Sequence, residues 1–435
     1  MTTMLSRRSL LAGSFAAALP HPSLKVAFRN ESLDLVSKAV AGLSGSSAGG
    51  PEDEDFWAQI TQAFTLDRNI VNFNNGGCSP APRIVHEALK RWLDQSNQAP
   101  SDFMWRQLEP EVENVRTRLA RVFNCDREEI ALTRNASESL ETLILGHDLK
   151  AGDEFIVTNL DYPRMITSIQ SRERRDGIKM VMVQVPAISK SLSDLTRAIE
   201  AGITEKTKLM NISQVSFLNG QILPIRDIVN LGRKHNIPVI VDGAHAFVQY
   251  QFDNKDLDCE MYGTSLHKWL MAPIGTGALY VRKARIPMIW PLMAAGTTQD
   301  NDIRKFEEIG THPAANHNAV GEAITFHEMI GLARKEARLR YLRHRWTDRL
   351  LDLPTIRFQT NLDPKHSCAI TTVGIEGIKP GDLGSWLSSK YGIFTVGIVN
   401  PAVNGIRVTP NVYTTIQEID RFAEAMIIAA TKGIG

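Results

Sequence analysis

Three stretches of this chain combine residue types and spacings that could do chemistry. Val239-Ile240-Val241 is an apolar run ending in Asp242-Gly243-Ala244-His245. Folded as a buried strand, it sets a carboxylate and an imidazole at the carboxyl edge of a sheet, where open α/β folds bind ligands. Ser265-Leu266-His267-Lys268 lies between two further strand candidates. A lysine just beyond one strand and an acid at the end of another can approach opposite ends of one flat ligand. Thr133-Arg134-Asn135-Ala136-Ser137-Glu138 precedes an apolar helical run. Asn135 followed by Glu138 reads as a variant capping box, and the helix start it marks offers free amides and a positive dipole end to a phosphate. Taken singly, Asp242 reads better as a helix cap and Lys268 as a surface lysine.

The elements that must position these residues alternate. Phe155-Ile156-Val157, Met180-Val181-Met182-Val183, Leu209-Met210-Asn211-Ile212, Val239-Ile240-Val241 and Ala278-Leu279-Tyr280-Val281 are short apolar runs of strand length, with helical patterns at 111–123, 135–145, 192–203 and 225–235. Near-continuously apolar strands alternating with helices predict an α/β domain whose mostly parallel sheet is covered on both faces. Beyond residue 300 the pattern changes. One long helix is expected over 316–351, then strands at 369–373 and 406–408 with helices at 382–390 and 417–430, which suits a smaller α+β domain. The expected division is 56–300 for the large domain and 301–435 for the small one.

The composition bounds the function. The chain has 435 residues, a formal net charge of +1, 43% hydrophobic and 22% charged residues, so no global charge draws it to nucleic acid or anionic lipid. Arg334, Lys335, Arg338, Arg340, Arg343, Arg345 and Arg349 form a basic stripe, but Glu336 and Asp348 interrupt it and no aromatic platform accompanies it; a solvated helix face is expected rather than a nucleic-acid surface. Cys78, Cys125, Cys259 and Cys368 form no C-x-x-C pair, which argues against a structural zinc module or a disulfide framework. Residues 1–20, with Arg7-Arg8, a modest apolar stretch and Ala16-Ala17-Ala18, read as a twin-arginine export signal. They predict a periplasmic or secreted protein without a membrane span once mature, the alternative being a cytoplasmic one. Residues 21–55, with the run Ser44 to Gly50, read as a linker.

Acid, lysine and phosphate cradle together are the three handles that pyridoxal 5′-phosphate needs. From Asn72 onward the chain resembles the class V aminotransferase family of fold-type I pyridoxal-phosphate enzymes, and within it the isopenicillin-N-epimerase-like branch. The resemblance is carried by Asp-Gly-Ala-His at 242–245, Ser-x-His-Lys at 265–268, Gly310-Thr311 and Ile406-Arg407-Val408-Thr409-Pro410. It implies a large domain with a seven-stranded, mostly parallel sheet and a smaller C-terminal domain. It also implies that Lys268 binds the cofactor covalently and then moves the substrate Cα proton, and that Asp242 faces the pyridine nitrogen. His245 is expected beside the ring, Ser265 and His267 with the amides of Ala136 and Ser137 at the phosphate, and Tyr162 stacked on the ring. Thr311 would reach the phosphate across a homodimer interface. Arg407 would grip the substrate α-carboxylate as a planar fork, with Asn75 and Gly76 lining the substrate side.

The implied activity is epimerisation or transamination at the Cα of an amino acid or amino-acid-bearing peptide. The alternative is an exported enzyme tailoring the side chain of a secreted peptide or siderophore. Cysteine desulfurase chemistry is disfavoured, because Cys368 falls beside a strand candidate and Val396-Gly397-Ile398-Val399-Asn400 carries no cysteine. The ring-contacting asparagine of such enzymes has no obvious counterpart in Val215-Ser216-Phe217-Leu218-Asn219. A non-catalytic binding protein is disfavoured by the presence of Lys268, a nucleotide oxidoreductase by the lack of G-x-G-x-x-G after the first strand, and a metal hydrolase by the spacing of His245 and His267.

Overall fold

The computed structural model describes residues 49–435 together with helical positions 34, 37, 38, 40 and 41. The export-signal expectation for 1–20 and most of the linker expected over 21–55 lie outside the described residues. The first continuous helix is Glu54–Gln62, started by Asp53, whose carboxylate accepts the amides of Phe56 and Gly49 at 3.0 and 2.8 Å.

The strands are β1 (Val71–Asn72), β2 (Ile130–Thr133), β3 (Glu154–Thr158), β4 (Lys179–Val183), β5 (Thr207–Ser213), β6 (Val239–Asp242), β7 (Met261–Ser265), β8 (Gly277–Val281), β9 (Ile356–Phe358), β10 (Thr371–Ile375), β11 (Ile393–Phe394), β12 (Val396–Asn400) and β13 (Val403–Val408). Seven of them build the central sheet in the order β2-β8-β7-β6-β5-β3-β4, parallel throughout except that β8 runs against both its neighbours. Every residue of β6 and β7 is buried, which explains why β6 reads as an unbroken apolar run: both faces lie under helices. The expected α/β class with a mostly parallel sheet is what the chain adopts.

The parallel connections bring the carboxyl ends of β3, β5, β6 and β7 to one edge. There Asp242 lies level with Ser213 on β5 and Gly263 on β7. The chain turns off β6 at Gly243, where a Cβ would fall 1.8 Å from Cζ of Tyr262; only glycine fits.

A second sheet, antiparallel in the order β12-β13-β10-β9, carries the helices Pro380–Tyr391 and Ile416–Lys432. The latter starts with a capping box between Thr415 and Glu418, worth about 1 kcal/mol. It buries Ile419, Phe422 and Met426, each worth about 1.5–3 kcal/mol. The small β1–β11 pair joins the N-terminal segment to this region, Val71 beside Ile393, and an isolated bridge puts Asn74 beside Thr409. Those two pairings lay the loop 72–78 alongside Arg407.

Two expectations are corrected. The single helix expected over 316–351 is three, Ala314–Asn318, Val320–Ile330 and Leu332–Thr347. The last break falls at Gly331, which adopts φ +84°, a backbone state that ends a helix and that glycine tolerates. The basic stripe is not a solvated face either. Lys335, Arg338 and Arg343 are fully buried. Arg338 donates to the Pro51 carbonyl and pairs with Glu54, Arg343 donates to Ser367 Oγ and the Leu362 carbonyl, and Lys335 Nζ donates to the carbonyl of Trp269. The stripe's inner half satisfies loop carbonyls that would otherwise lack donors.

Candidate active site

The edge formed by β3, β5, β6 and β7 opens into a cavity of about 620 Å³. Asp242, His245 and Arg407, each 6% exposed, and Lys268 all line it. Asp242 ends β6, and its Oδ1 accepts the amide of Ala244 at 2.9 Å. Burial raises its pKa, against the pull of the Ala244 amide and Lys268. Lys268 follows β7 by three residues. Burial pushes its amine down to about 8, Asp242 opposing and Arg407 reinforcing that shift. Its Nζ lies 3.3 Å from Nε2 of His245. Burial, then the fields of Lys268 and Arg407, hold His245 well below its ordinary pKa, and its Nδ1 is buried without a partner.

A helix start forms one wall. Asn135 caps Ala136–Gly146 by accepting the Glu138 amide at 2.9 Å. Glu138 reaches back one residue further than a capping box would, accepting the Arg134 amide at 2.5 Å. The Ala136 amide donates to Ser265 Oγ at 3.0 Å, and Ser137 lines the cavity with its amide in the unpaired first turn. His267 donates Nδ1–H to the Thr276 carbonyl at 3.1 Å, which leaves Nε2 as its free nitrogen; burial, then Lys268, lowers its pKa.

The opposite wall holds the anion receptor. Arg407, on β13, donates Nη1–H to the Phe217 carbonyl at 2.8 Å and Nη2–H to Asn74 Oδ1 at 2.9 Å. Its Nε is buried without a partner. No carboxylate among the described residues pairs with this guanidinium, and burial pushes its pKa down to about 10. A buried, unneutralised cation favours an incoming anion. Gly76 packs beside it, where a Cβ would come within 3.3 Å of His245 Cε1 and Thr409 Cγ2. Tyr162 lines the cavity at 43% exposure, its ring edge-on to Phe217 with centroids 5.2 Å apart.

Ten of the expected residues therefore share one cavity, from Gly76, Ala136 and Ser137 through Tyr162 to Asp242, His245, Ser265, His267, Lys268 and Arg407, while two expected residues stand elsewhere. Asn75 is fully buried outside the lining, its amide donating to Thr409 and Asn72 carbonyls and its Oδ1 accepting Tyr413 and Ser79 hydroxyls; its neighbour Asn74 is the loop's cavity residue. Thr311 is exposed and lies outside the single-chain cavity. Trp105 and Trp290 also lie outside it, and both are exposed. Sequence reasoning missed Asn74, Ser213, Phe217, Val396 and Ile398. Only Asn74 carried a signal, as a polar neighbour of the glycine pair.

Cys368 is buried beside β10 and away from the cavity, its thiol pushed up to about 11 by burial. It is a packed side chain rather than a reactive thiolate. Cys78 lies next to the glycine pair, half-buried, with its thiol raised by the same cause.

A flat pyridine bearing an aldehyde and a phosphate fits this set. The amine of Lys268 faces the aldehyde's chemistry, the raised carboxyl of Asp242 calls for a ring N–H, and the unpaired Ser137 amide, Ser265 and His267 suit the phosphate.

Comparison with known proteins agrees with that geometry. The family described as aminotransferase class-V matches residues 71–422. Isopenicillin N epimerase of Streptomyces clavuligerus is 26% identical over 387 residues, covering 85% of this chain and 97% of that protein. A probable cysteine desulfurase of Halalkalibacterium halodurans is 26% identical over 335 residues, covering 72% of this chain and 81% of the relative. Among solved structures, a C-DES mutant with glycine covalently linked to its PLP cofactor superimposes with a TM-score of 0.74 at 22% identity, covering 83% of this chain and 98% of that one; this likeness shows the shared fold.

Proposed function

This chain belongs to the aminotransferase class-V family, a family of pyridoxal-phosphate enzymes, and on that premise we propose that it acts at the Cα of an amino acid or amino-acid-bearing peptide, by epimerisation or transamination. The observation that carries the reading is the convergence of Lys268, Asp242 and Arg407 on one cavity. Bound pyridoxal phosphate supplies an electron sink for the pair left behind when the Cα proton departs.

The chain's own residues do the rest. Arg407 binds the substrate carboxylate through the guanidinium face that Phe217 and Asn74 leave open, and so fixes the Cα. Lys268, with its amine lowered to about 8, is free base in a useful fraction near neutral pH and takes the Cα proton. Asp242 becomes anionic once a ring N–H faces it, and holds that proton in place. The helix start at Ala136 and Ser137, with Ser265 and His267, anchors the phosphate against the sheet edge. With the cofactor held there, return of a proton to Cα on the opposite face would make the chain an epimerase, and release of the substrate as its keto acid would make it a transaminase. The sequence features Arg7-Arg8 and Gly310-Thr311 support two parts of the same reading, export in the folded state and a homodimer with shared sites.

The test is incubation of the purified protein with amino acids in deuterated water. Deuterium at Cα with scrambled chirality supports epimerisation, and keto-acid release supports transamination. A colourless protein that takes up no pyridoxal phosphate overturns the reading.

A further inference from the structure

The titratable groups lining the cavity are Asp242, His245, His267, Lys268 and Arg407, with the phenol of Tyr162; the proposed function uses Asp242, His267, Lys268 and Arg407, and His245 sits against the lysine amine. The remaining wall is defined by strand geometry. β12 pairs with β13 so that Val396 stands opposite Arg407 and Ile398 opposite Gly405. Alternation along a strand sends Val396 and Ile398 to the same face, and both line the cavity, whereas Val399 points away at 81% exposure. Phe217 closes the same side: its carbonyl accepts Arg407 and its ring lies against Tyr162. Ile274 borders the mouth at 74% exposure. The loop beside Arg407 contributes neutral groups to the lining, Asn74, Gly76 and Gly77.

A substrate held by its α-carboxylate on Arg407 must lay its side chain along Val396, Ile398 and Phe217. Among the described residues Arg407, already taken by the α-carboxylate, is the one ionised group on that wall, so a second charged terminus there would be desolvated without compensation. Resting on the proposed function, we infer that the substrate is an α-amino acid whose side chain is uncharged and largely apolar, and that Val396, Ile398 and Phe217 determine this specificity. Dicarboxylic and dibasic amino acids are excluded by the same wall.

The test is titration of the holoenzyme with both enantiomers of leucine, methionine, glutamate and lysine, read as binding by calorimetry and by the change in visible absorption. Leucine and methionine are expected to half-saturate at concentrations about tenfold or more below glutamate and lysine. Ile398→Arg should move the glutamate-to-leucine ratio about tenfold toward glutamate, and Val396→Asp should do the same for lysine should the first variant fail to fold. Glutamate or lysine binding the unaltered enzyme as tightly as leucine overturns the inference and leaves the proposed function standing. Silence with every amino acid, in a protein that holds the cofactor, overturns both.

Discussion

The amine of Lys268 and Nε2 of His245 lie 3.3 Å apart at the base of the cavity. Two basic groups this close are compatible because burial, which lowers both, keeps the imidazole uncharged near neutral pH. A neutral His245 does not repel the lysine; it offers a lone pair or an N–H according to which ring nitrogen carries the proton. Burial, reinforced by Arg407 and opposed by Asp242, is what brings the lysine from its ordinary 10.5 down to about 8.

Cofactor uptake by the apo-protein follows from that value. The free amine is the nucleophile, so the rate of uptake should climb with pH and level off above about 8. A rate still climbing steeply between pH 9 and 10 would show that the cavity does not depress this amine. Lys268→Ala should lose turnover by about a thousandfold or more and lose the visible absorption of the bound cofactor.

Arg407→Lys tests the anion receptor. Lysine keeps the charge but offers a point donor in place of a fork, and it abandons the Phe217 carbonyl or Asn74. Loss of one charge-assisted hydrogen bond, about 1.5–3 kcal/mol, should lower kcat/KM by roughly ten- to a hundredfold, chiefly through KM, with cofactor absorption unchanged. Steady-state kinetics with a saturating cofactor supply decides it.

Cys368→Ala should leave activity within about twofold. The side chain is buried, high in pKa and outside the cavity, so it acts as a small apolar filler costing about 1 kcal/mol when truncated. Complete loss of turnover with an intact melting curve would instead place sulfur transfer at that thiol.

Lys335 makes a prediction about stability. Its ammonium is fully buried and its pKa is pushed down to about 7 by that burial, Cys368 opposing; His327 is the other titratable group facing it. Between about pH 7 and the ordinary 10.5 the unfolded chain binds the proton and the folded chain releases it. Stability from this group therefore rises with pH across that window and is least below it. The melting temperature of the apo-protein should gain more between pH 7 and 9.5 in the wild type than in Lys335→Met. Identical gains would mean that the buried amine keeps its charge. Since Lys335 donates to the carbonyl of Trp269, next in sequence to Lys268, the variant should also broaden the visible absorption of the bound cofactor.

Much of the fold was written in local pattern. The runs ending at Val157, Ile212, Val241 and Val281 are apolar because both faces of their strands are covered, so composition alone marks them; the run ending at Val183 is equally apolar although it is the sheet's edge strand and only Val183 is buried. β7 gives no such signal: Met-Tyr-Gly-Thr-Ser carries three residues that are small or polar, yet it is buried throughout, packed so closely under the Ala136–Gly146 helix that a Cβ on Gly263 would fall 2.9 Å from Leu140 and Ser139. The helix expected across 316–351 shows the converse, since periodicity runs through Gly331 while the backbone turns there.

Local sequence determined the chemistry available: an acid at a strand end, a lysine after the next strand, a capped helix start and an arginine within an apolar strand are each fixed by residue type and a few neighbours. Only tertiary structure decided which groups meet. Asn74 rather than Asn75 faces Arg407, because a bridge to Thr409 sets the loop's register and one residue's shift reverses a side chain. Lys335 and Arg343 are inside rather than in solvent, because carbonyls from distant loops needed donors. The apolar wall of Val396 and Ile398 exists only once β12 is laid beside β13, a pairing between segments that carry no mark of each other.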